Sequence, residues 1–491
     1  MKKLVCILLA ALLLLGCAGC GGPKQVSAIT CSVTMDNTII KGIFSGTAEK
    51  KQPNGHGTFQ YSDDSVFMSY TGNWEYGIPV GSGELRYDGF ELIFNDTVYT
   101  GNYKGEALAG IPHGNGTFLA TGTDTVFSYS GNWEQGVPAG EGKLKHSDFQ
   151  LKFGDAVYTG SYEGETLNGI PGGTGIFTAS GDATFLYSGQ WEDGAFSGDG
   201  ELECDIFSLD YEGNTLTGEF KGSVKDGVPH GYGLFGADND SIFLLYFGNW
   251  ENGSFSGAGT LDTNLYTVHF TDGIDRMGHY SGDAVDGIAE GNGAFTATND
   301  NGVSYTYVGE WKNGLYNGYG DVRWNDGDSA LQIGTFVDGE FSPTPVEYFV
   351  ARGTYPDKPY GITNNAYEFL KTYPDIFLTN TVTDPAIQYE YGFQYNAFAK
   401  NPELYGSKLV TVYSLRVVQI FESEYWGAKH TFLIAEDGMK NVYYINMYGH
   451  CPNVYENSYI TATVLPLDYF TYPNVSGTKI WAIACAGVRI N

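Results

Sequence analysis

Residues Tyr70 to Leu85 read YTGNWEYGIPVGSGEL, and the alternation within that stretch decides the fold. Tyr70, Gly72 and Trp74 are spaced by two, so they share one face of an extended strand. Gly81, Gly83 and Leu85 have the same spacing and are expected on one face of the next strand. A glycine opposite an aromatic residue leaves room for the ring to lie across the neighbouring backbone. In other copies the turn between the strands reads Asn-Gly or Asp-Gly: Asp193-Gly194, Asn252-Gly253, Asn313-Gly314 and Asp338-Gly339. Such pairs take positive φ readily and close tight hairpins.

The skeleton recurs as Tyr129, Gly131 and Trp133, as Tyr187, Gly189 and Trp191, as Tyr246, Gly248 and Trp250, and as Tyr307, Gly309 and Trp311. A longer form starts at Ile40, Tyr99, Tyr158, Leu216 and Met277, and a truncated copy ends at Phe341. Spacing of roughly 30 residues marks a repeat array. The Tyr-x-Gly-x-Trp and Gly-x-Gly-x-Leu pieces resemble the MORN repeat (membrane occupation and recognition nexus). The expected fold class is mainly β: an elongated single-layer antiparallel meander over 40–343, in which each strand pairs with its sequence neighbour.

Residues 1–22 begin with two lysines, followed by an apolar run too short to span a bilayer and then by small residues and cysteine. This predicts a secretory signal over 1–16. Leu14-Leu15-Gly16-Cys17 resembles a bacterial lipobox. The resemblance implies cleavage before Cys17, a diacylglycerol on its sulfur, and anchoring on the extracytoplasmic side of the cell membrane. Cys20 is the alternative lipidation site, and an ordinary signal peptide the alternative leader. Residues 17–39 read as a lipidated tether.

The formal charge is −31, and residues 25–344 hold 13 Lys and Arg against 44 Asp and Glu. Phosphate-backbone binding needs the opposite sign, so nucleic acid is not an expected partner. An anionic bilayer would also repel the repeats, leaving the lipid on Cys17 as the membrane attachment. The charge favours a soluble monomer projecting outward. Of the cysteines beyond Cys17, Cys451 and Cys485 could pair or remain buried thiols, and no dense disulfide framework is expected.

The repeat pattern stops at Ser342-Pro343-Thr344-Pro345. Residues 344–400 read as a connector whose short helix, Asn365 to Phe377, is stopped by Pro374. In 401–491, strands are predicted at Lys408–Phe421, His430–Ile434, Asn441–Ile445, Tyr459–Val464 and Lys479–Ile483. Five strands with a long first one resemble an oligonucleotide/oligosaccharide-binding (OB) barrel. A small mixed α/β domain is the alternative.

HExxH, GxSxG and the P-loop pattern are all absent from the sequence. Gly231-Tyr-Gly233-Leu-Phe-Gly236 fits a dinucleotide fingerprint in letters, but a turn follows where a helix is needed. The Asp- and Asn-rich links lack calcium-loop spacing and have the composition of turns. No cofactor, metal or catalytic residue is expected. The reading is a non-enzymatic surface lipoprotein, a scaffold and spacer that engages a protein and presents its C-terminal domain away from the membrane. The alternatives are a cell-wall glycan binder that stacks sugars on exposed aromatics, and a hydrolase with its site in 345–491.

Overall fold

The computed structural model describes residues 22–491 except 64–65, 183, 240, 272, 326–331, 355–357, 426–427 and 475. Cys17, with the expected signal and lipidation site, lies outside the described residues. A 23-stranded antiparallel meander, β1 (Lys24–Met35) to β23 (Glu340–Phe341), is followed by helices and a five-stranded barrel. The chain forms two compact units. One runs up to Phe207 and includes Glu219–Gly231; the other comprises Ser208–Gly218 and Tyr232–Asn491.

The sheet begins earlier than expected. Residues 24–35, read as part of a tether, form β1 and pair with β2 (Thr38–Glu49). Val33 and Met35, two positions apart on one face, are buried there, before an Asp36-Asn37 turn in which both residues have positive φ. The segment reads as aperiodic because a register shift between Val26 and Ile29 interrupts its alternation.

In the first unit the relevant strands are β3 (Gln52–Ser62), β4 (Phe67–Glu75), β5 (Ile78–Phe94), β6 (Thr97–Leu108), β7 (Ile111–Ala120), β8 (Phe127–Glu134), β9 (Val137–Phe153), β10 (Ala156–Leu167), β11 (Ile170–Ala179) and β12 (Phe185–Glu192). Three strand spacings in a flat sheet amount to about 14 Å. Yet Phe90 of β5 meets Trp133 of β8 with ring centroids 6.0 Å apart. The Tyr99 hydroxyl of β6 likewise lies 3.0 Å from Nε2 of His146 on β9. The sheet therefore rolls sharply onto its aromatic face. Bulges such as the one between Tyr87 and Phe90 supply the bend. One layer of strands thus makes its own core, and Tyr70, Tyr103, Phe118, Phe127 and Trp133 are all within 2 % of full burial.

Among the described residues of the second unit, the region read as a connector holds the α-helices α1 (Pro345–Gly353), α2 (Asn364–Thr372), α3 (Asp375–Thr379) and α4 (Tyr395–Lys400). The predicted helix does stop before Pro374, but that proline then caps α3. The connector reading is corrected by the packing. Tyr348, Phe349, Phe369, Leu370 and Phe377 share one core with barrel residues Phe432, Leu465 and Leu467, so residues from 345 onward belong to the C-terminal domain.

The barrel strands are β24 (Val410–Tyr425), β25 (Ala428–Glu436), β26 (Val442–Met447), β27 (Tyr459–Pro473) and β28 (Lys479–Ile490), closed in the order β24-β25-β26-β28-β27. The long β24 pairs with both β25 and β27, and β26 runs parallel to β28. Leu415, Val417, Leu433, Ile445 and Ile483 fill the interior.

One carboxylate ties the barrel domain to the last full strand of the array, β22 (Gln332–Val337). Glu347 of α1 accepts from the Thr335 amide at 3.2 Å, the Thr335 hydroxyl at 2.9 Å and the Thr344 amide at 2.7 Å. The Thr344 hydroxyl accepts from the Glu347 amide in return, completing a capping box at the start of α1.

Candidate functional site

The inner spine follows from the skeleton residues. The Tyr70 ring lies across a directly paired Gly72 and Gly83; a Cβ on either glycine would sit 2.5 Å from its hydroxyl oxygen. Gly189 and Gly200 receive Tyr187 in the same way, and Gly248 and Gly259 receive Tyr246. The tyrosine hydroxyl donates to the carbonyl three residues on: Tyr129 to Asn132 at 3.0 Å, Tyr187 to Gln190 at 2.8 Å, Tyr246 to Asn249 at 2.9 Å and Tyr307 to Glu310 at 2.6 Å. The indole N–H groups of Trp74, Trp133, Trp191, Trp250 and Trp311 donate to the carbonyls of Gly57, Gly116, Gly175, Gly233 and Gly293, at 3.1–3.2 Å. Burial, helped by the nearby Asp226 and Asp286 carboxylates, raises the Tyr187 and Tyr246 hydroxyls to about 12. Every one of these rings is internal, so none can serve as a platform for a sugar, and glycan stacking on the repeat Tyr and Trp is set aside.

Gly81 does not share the face of Gly83. The register slips between Gly72 and Asn73, and Gly81 falls in the resulting bulge with φ +65° and nothing within 4 Å of its Cβ position. Its role is backbone geometry. The bulge carbonyl accepts from the Ala109 amide at 2.9 Å, in the turn after β6. Later copies make this a two-way latch. The Gly140 amide donates to the Asn168 side-chain oxygen, and Gly198 and Gly257 donate to Asp226 and Asp286, at 2.6–2.8 Å. The same Asn and Asp residues return their own amides to the bulge carbonyls. The Asn and Asp before glycine in the long-form turns are therefore joints between units as well as turn formers.

The outer face of the first unit stays open. Three adjoining cavities of about 700, 590 and 680 Å³ form a trench across β4 to β11, sharing Asn115, Thr117, Ser130, Lys143 and Glu165 among their walls. The register places Ser69, Arg86, Lys104, Thr117, Ser130, Lys143 and Glu165 in one row across seven consecutive strands. Two carboxylates bordering the trench are committed to the backbone: Glu106 accepts from the Asn115 amide at 2.8 Å and Glu165 from the Thr174 amide at 2.7 Å. Lys145 and Glu163 pair at 3.0 Å.

The sequence reading missed this row because the bulge between Tyr87 and Phe90 sets it. The turn pairs Phe94 with Thr97, a register that would oppose Arg86 to Gly105; after the bulge Arg86 faces Lys104. Among the described residues no cluster of three or more His, Cys, Asp or Glu side chains has an arrangement that could hold a metal. Cys31, Cys204, Cys451 and Cys485 are free thiols, so the possible Cys451–Cys485 bridge is not formed.

A rolled meander with a Tyr–Gly–Trp spine repeating every hairpin pair is a repeat-protein architecture, and here the repeats are MORN repeats. Residues 45–66, 70–89, 103–123, 129–149, 187–205, 220–241, 246–263 and 307–329 match that family's model. The copies holding Tyr162 and Tyr280 fall outside these matches yet have the same geometry, each hydroxyl donating to the carbonyl three residues on. Among known proteins, the chain is similar to Alsin of mouse and human, 28% identical over 172 residues, or 34% of this chain and 8% of Alsin. Rat Alsin is 29% identical over 166 residues. The similarity thus spans a small part of Alsin's length.

Proposed function

We propose that the protein is a non-catalytic interaction scaffold. The open face of its repeat sheet receives a protein partner, a lipid on Cys17 holds the chain at the outer face of the membrane, and the C-terminal domain is presented beyond the repeats. The observation that carries this reading is the division of the sheet into a sealed aromatic face and an open polar trench. A repeat unit that spends its rings on internal packing leaves its other face free to vary. In this reading the C-terminal barrel is OB-like: its strand order is first-second-third-fifth-fourth, and its third and fifth strands run parallel.

A glycan-binding reading draws on exposed aromatic pairs: Trp481, 55 % exposed, stacks on Tyr469 at 5.1 Å in the barrel. Tyr232 and Phe247 are about half exposed and meet edge to face at 4.7 Å on the second unit.

A photo-crosslinking residue at Leu119, exposed in the trench, is compared with one at the Asp96 turn, in cells carrying the native chain or Cys17→Ser. Expected are a discrete protein adduct from Leu119 and not from Asp96, and release of the Cys17→Ser chain from membranes. No protein adduct from Leu119, or equal adducts from both positions, would overturn the scaffold reading. Membrane retention of the Cys17→Ser chain with diacylglycerol still attached would overturn the anchor.

A further inference from the structure

On the open face of the first unit, β5 and β6 place like charges opposite each other twice in succession. Arg86 faces Lys104, and two residues along Glu84 faces Glu106. All four side chains are exposed. Directly opposed like charges weaken an antiparallel pair, and exchanging one residue of each pair would have made both attractive. The fold does not need this arrangement, and local conflict with the fold is where a binding role is to be sought.

The two bands differ in how far they are already neutralised. Glu106 accepts the Asn115 amide. Arg86 is shared with Asp88, at 3.3 Å through Nε, and lies over the Phe67 ring. Lys104 adds a second cation beside Arg86, and Lys143 lies three strands further along the same row. The hydroxyls of Thr117 and Ser130 stand between Lys104 and Lys143. Near Lys143, Glu165 is committed to Thr174 through that residue's amide and hydroxyl. The row is thus three cations and intervening hydroxyls ending at Glu165, with the Thr117 hydroxyl donating to the Lys104 carbonyl at 3.2 Å, within an array of strong net negative charge.

We infer that this row binds an acidic, extended peptide segment of the partner, its carboxylates meeting Arg86, Lys104 and Lys143. The inference rests on the scaffold reading and names the chemistry of its partner. The trench between Ser69 and Glu165 crosses six strand spacings, on the order of nine residues of extended chain. A peptide fits these walls better than a polysaccharide does. Leu119 lies exposed beside the row to meet an apolar side chain, and the two rings bordering the trench, Phe118 and Tyr129, are turned into the core. Opposed charge across the contact supplies selectivity and encounter rate.

The test is fluorescence anisotropy of a labelled deca-glutamate peptide against the mature chain, with deca-lysine and dextran sulfate as parallel probes and salt varied. Expected are salt-sensitive binding of deca-glutamate, none of deca-lysine, and at least a tenfold loss in Arg86→Gln/Lys104→Gln. The melting temperature of that variant should stay level or rise, because the substitutions remove a repulsion, and this separates lost recognition from lost folding. Equal binding by the double variant, or no binding of deca-glutamate, overturns the inference; binding of dextran sulfate alone overturns the peptide assignment. If the Leu119 adduct persists in the double variant while deca-glutamate fails to bind, the scaffold reading stands and this inference falls.

Discussion

Gly142→Ala isolates the contact on which the array is built. Glycine to alanine in a strand normally stabilises by about 0.5–1 kcal/mol, because the unfolded chain loses freedom. Here the sign should invert. The added Cβ would lie 2.5 Å from two carbons of the Tyr129 ring, about 1 Å inside ordinary contact. Tyr129 cannot retreat cheaply: it is 1 % exposed, meets Trp133 edge to face at 5.4 Å, and donates its hydroxyl to Asn132. Overpacking costs about 1–3 kcal/mol, and losing the hydroxyl's partner would add about 1–3 kcal/mol. A net loss of about 1–5 kcal/mol follows after the backbone gain is subtracted. Denaturant unfolding and amide exchange across β8 and β9 would report it, with Ser130→Ala on the open face as the near-neutral comparison. In a Tyr129→Ala background, itself destabilised by about 3–5 kcal/mol, the further cost of Gly142→Ala should largely vanish, a coupling only a direct contact produces. Wild-type stability for Gly142→Ala, or the same cost with and without the Tyr129 ring, would refute the ring-over-glycine account.

Glu347→Gln should cost about 1–3 kcal/mol, since the three donors on the carboxylate lose a charged acceptor, and amide exchange at Thr335 and Thr344 should speed up before the barrel amides do. His146 is buried among Phe94, Phe127 and Phe149, and desolvation lowers its pKa while the nearby Asp148 partly offsets the shift. The unfolded chain therefore takes up the proton first as pH falls. The first unit should lose stability with acid below about pH 6.5, by at most about 1.4 kcal/mol per pH unit. His146→Phe should flatten that slope in melts between pH 5 and 7, and an unchanged slope would remove His146 as its cause.

The repeat was legible because its period is carried by residues with strict geometric duties: a ring, two glycines beneath it, an indole reaching back to a glycine carbonyl. What escaped the sequence reading depends on where alternation breaks. Gly81 has the spacing of a face residue but sits in a bulge, and the same kind of slip near Phe90 decides that Arg86 meets Lys104. β1 was lost to such a slip as well. In the C-terminal region the strands were foreseen from their β-branched and aromatic runs. The helices read as a connector in sequence because their apolar faces pack against barrel residues far away in the chain.

The bulges link the protein's two faces. Each one bends the sheet so that rings three strands apart can touch, and each also shifts the register by one, re-dealing which outward side chains oppose each other. The inner face tolerates the slip because Tyr, Trp and Phe fill whatever gap the curl leaves. On the outer face the row's charged side chains are exposed, so the slip instead decides which charges become neighbours. A sequence drifting under stability alone would resolve the opposed Arg86 and Lys104, since either residue is free to change without touching the core. Deleting Gly89 tests that coupling. It removes the extra residue without altering the opposition: Phe90 still faces Gly101, Asp88 falls opposite Asn102 and Arg86 still faces Lys104, while the bend that brings Phe90 to Trp133 is lost. Amide exchange in β5 and β6 should then rise while deca-glutamate still binds. Loss of deca-glutamate binding together with faster exchange would show that the cation row depends on the curl of the sheet and not on the opposed pair alone.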